Sequence, residues 1–95
     1  MEHLLNAIPN TLISMPRQFT THQLIIALAK ENQHAYIEAL HEHLIDYERP
    51  FQTVHSKIGR HLSKASEFVR LISDDERDSD IFGQVSENAL WERVD

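Results

Sequence analysis

Residues 50–72 read PFQTVHSKIGRHLSKASEFVRLI, and the first two thirds of this stretch has the apolar spacing of a helix. Apolar residues recur there at steps of three and four, which places them on one face of an α-helix. They are Phe51, Val54, Ile58 and Leu62. The opposite face is polar and cationic and comprises Gln52, Thr53, Ser56, Lys57, Arg60, Ser63 and Lys64. We therefore predict an amphipathic helix with an apolar stripe and a basic face.

The pattern changes after this helix. Residues 68–72, FVRLI, are mostly bulky or β-branched, and such runs favour a short strand. A second strand is predicted over residues 89–94, which include Trp91. Between the two strands, residues 74–80 carry no apolar side chain and must be solvated. We expect them to form a mobile connection.

Two further helices are predicted before this stretch. Thr20 lies three residues before Gln23, the spacing of a capping box, and an apolar stripe follows it. The next helix is predicted over residues 33–46, and Pro50 ends it and begins the third helix. Its inward residues are expected to be Tyr36, Ile37, Leu40 and Leu44. Its solvent side carries an acidic stripe, Glu38, Glu42 and Asp46.

The order of these elements resembles the winged-helix members of the helix-turn-helix class. The resemblance covers roughly residues 18–94 and depends on the amphipathic helix, the strand that follows it and the closing strand with Trp91. It implies a mainly α fold with a small β-hairpin, in which a winged-helix-like three-helix core is followed by a two-stranded wing. We divide the chain accordingly into an N-terminal arm or helix, residues 1–17, and a winged-helix-like domain, residues 18–95.

Two features depart from that class. The predicted second helix is long for it. The predicted wing tip, residues 74–80, is acidic, whereas a wing that touches DNA is usually basic.

Composition is that of a small globular protein. Its 95 residues suit one domain, and 41% of them are apolar. The longest apolar run, residues 24–29, is far shorter than the roughly 20 residues that a membrane-spanning helix needs. The sequence contains no cysteine for disulfides or thiolate metal sites. The N-terminus lacks the pattern of a signal peptide, so we expect a cytoplasmic protein without membrane association.

The net charge of −6 is unevenly distributed along the chain. Residues 51–72 contain four basic residues and one acidic residue, whereas the segments on either side are acidic. Salt screens charges beyond about 8–10 Å, so the local charge matters more than the total charge at contact distance. This basic segment can therefore face an anionic partner in spite of the acidic remainder.

Motifs for catalysis and metal binding are not evident. His41 and His43 are two residues apart and diverge on a helix, so they do not form the pair of an H-E-x-x-H site. Residues 74–78 begin like a calcium loop, but Ser79 stands where that loop needs a glycine. The sequence has no nucleophile motif and no phosphate-binding glycine loop. We expect no enzyme activity, no catalytic residue, no metal and no cofactor.

The basic helix face favours DNA binding, because Arg, Lys, Gln, Thr and Ser contact phosphates and base edges. We expect a DNA-binding protein, a candidate transcriptional regulator. The residues expected to contact double-stranded DNA are Gln52, Thr53, Ser56, Lys57, Arg60, Lys64 and Arg70. The alternative is a protein–protein interaction module of winged-helix type, which docks a protein partner through its acidic faces and does not bind DNA.

A specific DNA site would require a homodimer, because so few cations give a monomer weak affinity. The expected dimer surface lies in residues 1–17, outside the predicted three-helix core. It comprises Leu4, Leu5, Ile8, Leu12 and Ile13.

Overall fold

The computed structural model describes residues 1–45 and 48–94, and within them it has five helices and three strands. The helices are α1 (Glu2–Asn6), α2 (Ile8–Ile13), α3 (Thr21–Glu31), α4 (Gln33–Glu42) and α5 (Pro50–Ser63). The strands are β1 (Gln18–Thr20), β2 (Val69–Ser79) and β3 (Val85–Arg93), which form one antiparallel sheet in the order β1-β3-β2. Among the described residues, no helix is both long and apolar enough to cross a membrane.

The third strand corrects the predicted fold class. The sequence predicts a mainly α fold with a two-stranded wing, whereas β1 completes a three-stranded sheet and the fold is α+β. Phe19 of β1 lies opposite Trp91 of β3, and both side chains are buried. The sequence did not reveal β1, because its three residues are too few to show the alternation of a strand.

The hairpin of β2 and β3 is longer than the sequence predicts. Residues 74–79 belong to β2 and do not form a mobile connection. The chain reverses after them, and Gly83 adopts a φ of 77° that favours glycine. Asp80 fixes this turn, because its Oδ1 accepts the backbone N–H groups of Phe82 and Gln84, each at 2.9 Å.

Strand β2 lies at an edge of the sheet and pairs irregularly with β3. The register shifts between Leu71 and Ser73, and again between Ser73 and Glu76. Such bulges bend a strand and increase its twist. The acidic half of β2 therefore pairs with β3 in a different register from its first residues.

Helix α3 begins as the sequence predicts. The Thr20 hydroxyl accepts the Gln23 N–H at 3.1 Å, and the Gln23 side-chain oxygen accepts the Thr20 N–H at 2.9 Å. This capping box satisfies two backbone donors, one of them in the first turn that a helix leaves without intrahelical partners. It also fixes the position of His22, which lies in that first turn.

Helix α5 has the predicted apolar stripe. Pro50 lies in its first turn, where the missing N–H costs nothing. Val54, Ile58 and Leu62 are buried, and Phe51 is half-buried. Because this stripe faces the core, the opposite polar face points to solvent, and the predicted helical phase is confirmed.

Helix α4 is shorter than predicted, and its buried face matches the predicted one only in part. It buries Tyr36 and Ala39, and His43 is buried just beyond its last residue on the same face. Ile37 and Leu44, which were expected to point inward, are 64% and 57% exposed. Tyr36 and Leu40, which were also expected to point inward, are buried and half-buried, so the prediction is confirmed for these two residues and wrong for Ile37 and Leu44.

The N-terminal helices are part of the core. Leu4, Ile8 and Leu12 are at most 4% exposed and lie in the same apolar cluster as residues of α3, α5 and the sheet. The expectation that they lie outside the core, as a dimer surface, is therefore wrong. Of the other residues expected there, Leu5 is half-buried and Ile13 is exposed.

Candidate nucleic-acid interface

A groove on the solvent face of α5 contains most of the residues expected to contact DNA. It has a volume of about 350 Å³ and is lined by Arg49, Gln52, Thr53, Ser56, Lys57 and Arg60. Residues three and four apart share a helix face, so this spacing brings the side chains together. No acidic side chain lines the groove among the residues that the structure describes.

Arg49 belongs to this groove and was missed in the sequence. Its carbonyl oxygen accepts the Thr53 N–H at 3.0 Å and the Thr53 hydroxyl at 2.9 Å. Arg49 therefore lies one turn before Thr53 on the same face. The spacing of four residues was a signal available in the sequence, but the helix boundary expected at Pro50 concealed it.

The Lys57 ammonium is positioned by the residue that follows α4. Its Nζ lies 2.8 Å from Nε2 of His43, and Nδ1 of His43 lies 2.6 Å from the Ala39 carbonyl oxygen. A carbonyl can only accept, so Nδ1 carries the proton and Nε2 is the acceptor for Lys57. The buried imidazole thus holds one cation of the groove at a defined place.

Lys64 and Arg70 lie outside this groove. Lys64 is exposed at the end of α5 and extends the cationic face beyond the groove. Arg70 lies on β2, and its guanidinium is paired with Glu92 of β3 in a separate groove that also contains Arg17 and Arg93. The structure does not bring Arg70 together with the α5 residues.

Glu92 offsets much of the charge of Arg70. Its carboxylate accepts a hydrogen bond from Nε2 of Gln18 at 3.1 Å and another from the Arg70 guanidinium. The Nε atom of Arg17 lies 3.8 Å from the same carboxylate. The hydrogen bond from Gln18, followed by that from Arg70, holds the pKa of Glu92 below its ordinary value. Glu92 is therefore ionised at neutral pH, and its charge opposes that of Arg70.

The acidic stripe predicted on the second helix is engaged by α1 and by Met1, the residue before it. Oε2 of Glu42 lies 2.6 Å from the Met1 ammonium, and Oε1 of Glu38 lies 2.8 Å from Nδ1 of His3. The hydrogen bond from that ammonium is the main cause of the lowered pKa of Glu42. Asp46, the third member of the stripe, lies outside the described residues. Two of these carboxylates thus hold α1 against α4 and are less available to a partner than the sequence predicts.

His55 connects α5 to α4 beside the hairpin. Its Nε2 lies 2.6 Å from the Tyr36 hydroxyl, and the two rings stack with centroids 5.9 Å apart. Burial lowers the pKa of His55, while Asp80 opposes this shift and His22 adds to it. Burial also raises the pKa of Tyr36 to about 12. The neutral imidazole therefore accepts the Tyr36 O–H.

Asp78 fixes the hairpin to the start of α3. Its carboxylate accepts the Thr20 hydroxyl at 2.6 Å, the Asn88 amide at 2.8 Å and Nδ1 of His22 at 2.7 Å. Burial raises the pKa of Asp78, but these hydrogen bonds outweigh it and hold the pKa below its ordinary value.

The hairpin turn also touches α5, where the ring of Phe82 meets that of Phe51 at 5.1 Å between centroids. The hairpin is thus held beside the helix with the cationic face.

No protein-family model, curated protein or solved structure matches this chain. Its function is therefore inferred from the chemistry of the α5 groove and of the hairpin next to it.

Proposed function

We propose that this chain binds double-stranded DNA through the cationic face of α5, as a candidate transcriptional regulator. The observation that carries this proposal is the groove in which Arg49, Lys57 and Arg60 surround uncharged polar side chains. Phosphate contacts by such cations release the counterions condensed on DNA, which supplies much of the affinity. The net charge of −6 limits this affinity but does not cancel it at contact distance.

The cations and the uncharged side chains of this face have separate roles in the proposal. The cations contact phosphates, or guanine edges where a side chain reaches a base, and they are Arg49, Lys57, Arg60 and Lys64. The uncharged side chains make polar contacts near the start of the helix, and they are Gln52, Thr53 and Ser56. An α-helix fits the major groove, which is about 12 Å wide.

Arg70 is not part of the proposed interface. Its guanidinium is held by Glu92, whose carboxylate is ionised at neutral pH. A phosphate would have to compete with the Glu92 carboxylate for Arg70. The two anions would also repel each other. Arg70 instead contributes to the pairing of β2 with β3.

The resemblance to winged-helix proteins is part of this proposal. Helix α5 leads into the β2–β3 hairpin, as a recognition helix leads into its wing in that class. Here the hairpin is acidic and exposed over residues 74–76, so phosphates would repel it. We therefore assign the DNA contacts to α5 and none to the acidic part of the hairpin.

A salt titration tests the proposal. Binding of a labelled random-sequence duplex is measured by fluorescence anisotropy over a range of salt concentrations, for the parent and for Arg60→Ala with Lys64→Ala. These two residues are exposed, so their removal leaves the fold intact. The matched control is Lys30→Ala with Arg77→Ala, which removes the same charge from α3 and β2.

For the parent, the logarithm of the DNA-binding constant is expected to fall linearly with the logarithm of the salt concentration. The Arg60/Lys64 variant is expected to bind every duplex more weakly, with a salt slope smaller by about two. The control should keep the parent slope. Equal losses in both variants would show that net charge matters and the α5 face does not, and the proposal would fail.

The second candidate function is a protein–protein interaction module. The observation that favours it is the exposed acidic arm of the hairpin, which comprises Asp74, Asp75, Glu76 and Glu87. Such an arm suits a basic protein surface and opposes DNA. Absence of DNA binding at the lowest salt concentration would select this function over the first.

We also propose that the chain forms a homodimer and is located in the cytoplasm. A specific operator would require two copies of the short α5 face, one for each half-site. Sedimentation velocity with and without duplex DNA tests the dimer, and cell fractionation tests the location. A monomer in both samples would confine the chain to weak, sequence-independent binding.

A further inference from the structure

Three side chains that are distant in sequence form a connected chain of hydrogen-bond contacts at the hairpin. Oδ1 of Asp78 lies 2.7 Å from Nδ1 of His22, and Nε2 of His22 lies 3.4 Å from Oγ of Ser86. This is the order of contacts by which a carboxylate orients an imidazole and the imidazole activates a hydroxyl. Such triads are recognised by geometry and not by sequence position.

The tautomer of the neutral His22 imidazole follows from its partners. The pKa of Asp78 is held below its ordinary value, so its carboxylate is ionised and accepts the proton on Nδ1 of His22. In the neutral imidazole, Nε2 then carries the lone pair and faces the Ser86 hydroxyl. His22 is therefore set to take the Ser86 proton, as a general base does.

The fold holds these three groups from three different elements. Asp78 and Ser86 are cross-strand partners in β2 and β3, and His22 lies in the first turn of α3. The His22 backbone N–H also donates to Oδ1 of Asn88 at 2.8 Å. The His22 and Asp78 side chains are 13% and 27% exposed, whereas Ser86 is exposed to solvent. The base is thus sheltered and the hydroxyl is accessible.

A groove large enough for a small acyl group adjoins His22, and Ser86 lies outside its lining. It has a volume of about 320 Å³ and is lined by His22 and Asn88 together with residues of α3 and α5, among them Ile25 and Gly59. Gly59 adds no side chain to this wall, although a Cβ there would lie 3.8 Å from Cγ2 of Thr21, an ordinary contact. The groove is therefore wider at Gly59 than it would be with a larger residue there, although the surrounding packing would tolerate a Cβ.

We propose that Ser86 is an activated nucleophile that accepts acyl groups from small activated esters, with His22 as the general base and Asp78 as its positioning residue. This activity does not depend on DNA binding, although Gln52 and Ser56 line both this groove and the α5 groove. Aryl esters are the substrate class, because a phenolate leaves as a stable anion and needs no proton from the protein.

The reaction balances with water as the second reactant. Oγ of Ser86 attacks the carbonyl carbon, its proton passes to Nε2 of His22, and the C–O bond to the aryl group breaks with release of the phenolate. Water then attacks the acyl-serine, the C–Oγ bond breaks, and the carboxylic acid leaves as Ser86 regains a proton. His22 returns its extra proton to solvent, and no oxidant or reductant is needed.

Labelling by an alkyl fluorophosphonate tests this proposal, because that probe reacts with activated serines and the adduct can be mapped by peptide mass spectrometry. The full chain is expected to carry the adduct at Ser86. Ser86→Ala should remove it, and His22→Gln should slow labelling by about 100-fold, the range of general-base catalysis. Ser66→Ala, at another exposed serine, should label like the parent.

Circular dichroism of each variant checks that it is folded, and hydrolysis of p-nitrophenyl acetate supplies a second measurement. Loss of both labelling and the Ser86-dependent part of hydrolysis in Ser86→Ala would support the proposal. Labelling spread over several residues, or unchanged in folded Ser86→Ala, would overturn it. The three side chains would then be a hydrogen-bonded tie between α3 and the hairpin.

Discussion

Lys57 of α5 donates a hydrogen bond at 2.8 Å to the buried imidazole of His43, which follows α4. From the helical phase alone, Lys57 and Arg60 are equivalent surface cations on the face opposite the core. The structure separates them, because Lys57 is half-buried against a second element and Arg60 is exposed. Their removal should therefore have different effects on stability.

Lys57→Ala is expected to lower the free energy of unfolding by about 1–2 kcal/mol, because a buried imidazole loses a charged donor. Arg60→Ala should change it by less than about 0.5 kcal/mol, as exposed substitutions usually do. Urea denaturation of the two variants measures the difference. Equal stabilities would mean that the contact with His43 contributes nothing to folding.

Ile58→Ala is expected to cost about 2–5 kcal/mol, because Ile58 is fully buried in the core stripe of α5. The matched control is Ile37→Ala on α4, where the same side chain is 64% exposed. We expect that change to be close to neutral, since alanine is the better helix former. A large loss at Ile37 and none at Ile58 would reverse the assigned helix faces.

The two glycines are expected to respond in opposite directions to alanine. Gly83 has a φ of 77° in the hairpin turn, so Gly83→Ala should destabilise the chain by about 1–2 kcal/mol. Gly59 lies in α5 with ordinary space for a Cβ, so Gly59→Ala should stabilise it by up to about 1 kcal/mol. Thermal unfolding of both variants provides the measurement. A loss of stability in Gly59→Ala would show that α5 packs more tightly than its distances indicate.

His55 should make the chain less stable in mild acid. Burial lowers its pKa in the folded chain, so the folded state binds fewer protons than the unfolded state once pH falls below about 6.5, the ordinary histidine value. The free energy of unfolding should then decrease with falling pH, until pH passes below the folded pKa. His55→Gln should reduce this slope, whereas His34→Gln, at an exposed histidine, should leave it unchanged. Matching slopes for the parent and His55→Gln would contradict the assignment.

The elements with the strongest local pattern could be predicted from sequence. The stripe of Val54, Ile58 and Leu62 fits one helical phase, and the capping box at Thr20 defines one start for α3. Both depend on residues within a few positions of one another. The sequence was sufficient there because local and tertiary preferences agree.

The parts that could not be predicted depend on contacts between distant residues. Strand β1 is too short to show alternation and is defined by pairing of Phe19 with Trp91. The pairing of Arg70 with Glu92 follows from the register of β2 and β3, which removes Arg70 from the predicted site. His22, Asp78 and Ser86 come together by the same strand register and the position of α3, and no local motif contains all three.

The bulged, acidic edge of the sheet also affects how copies of the chain meet one another. An open edge strand offers unpaired N–H and C=O groups to any neighbour and can seed aggregation. Irregular pairing and repeated charge are two of the means by which proteins protect such an edge, and β2 has both, in its two register shifts and in Asp74, Asp75 and Glu76. Stacked copies would place these carboxylates against one another, which opposes growth of a continuous sheet. The same carboxylates that would repel nucleic acid at the hairpin thus oppose aggregation of the chain itself.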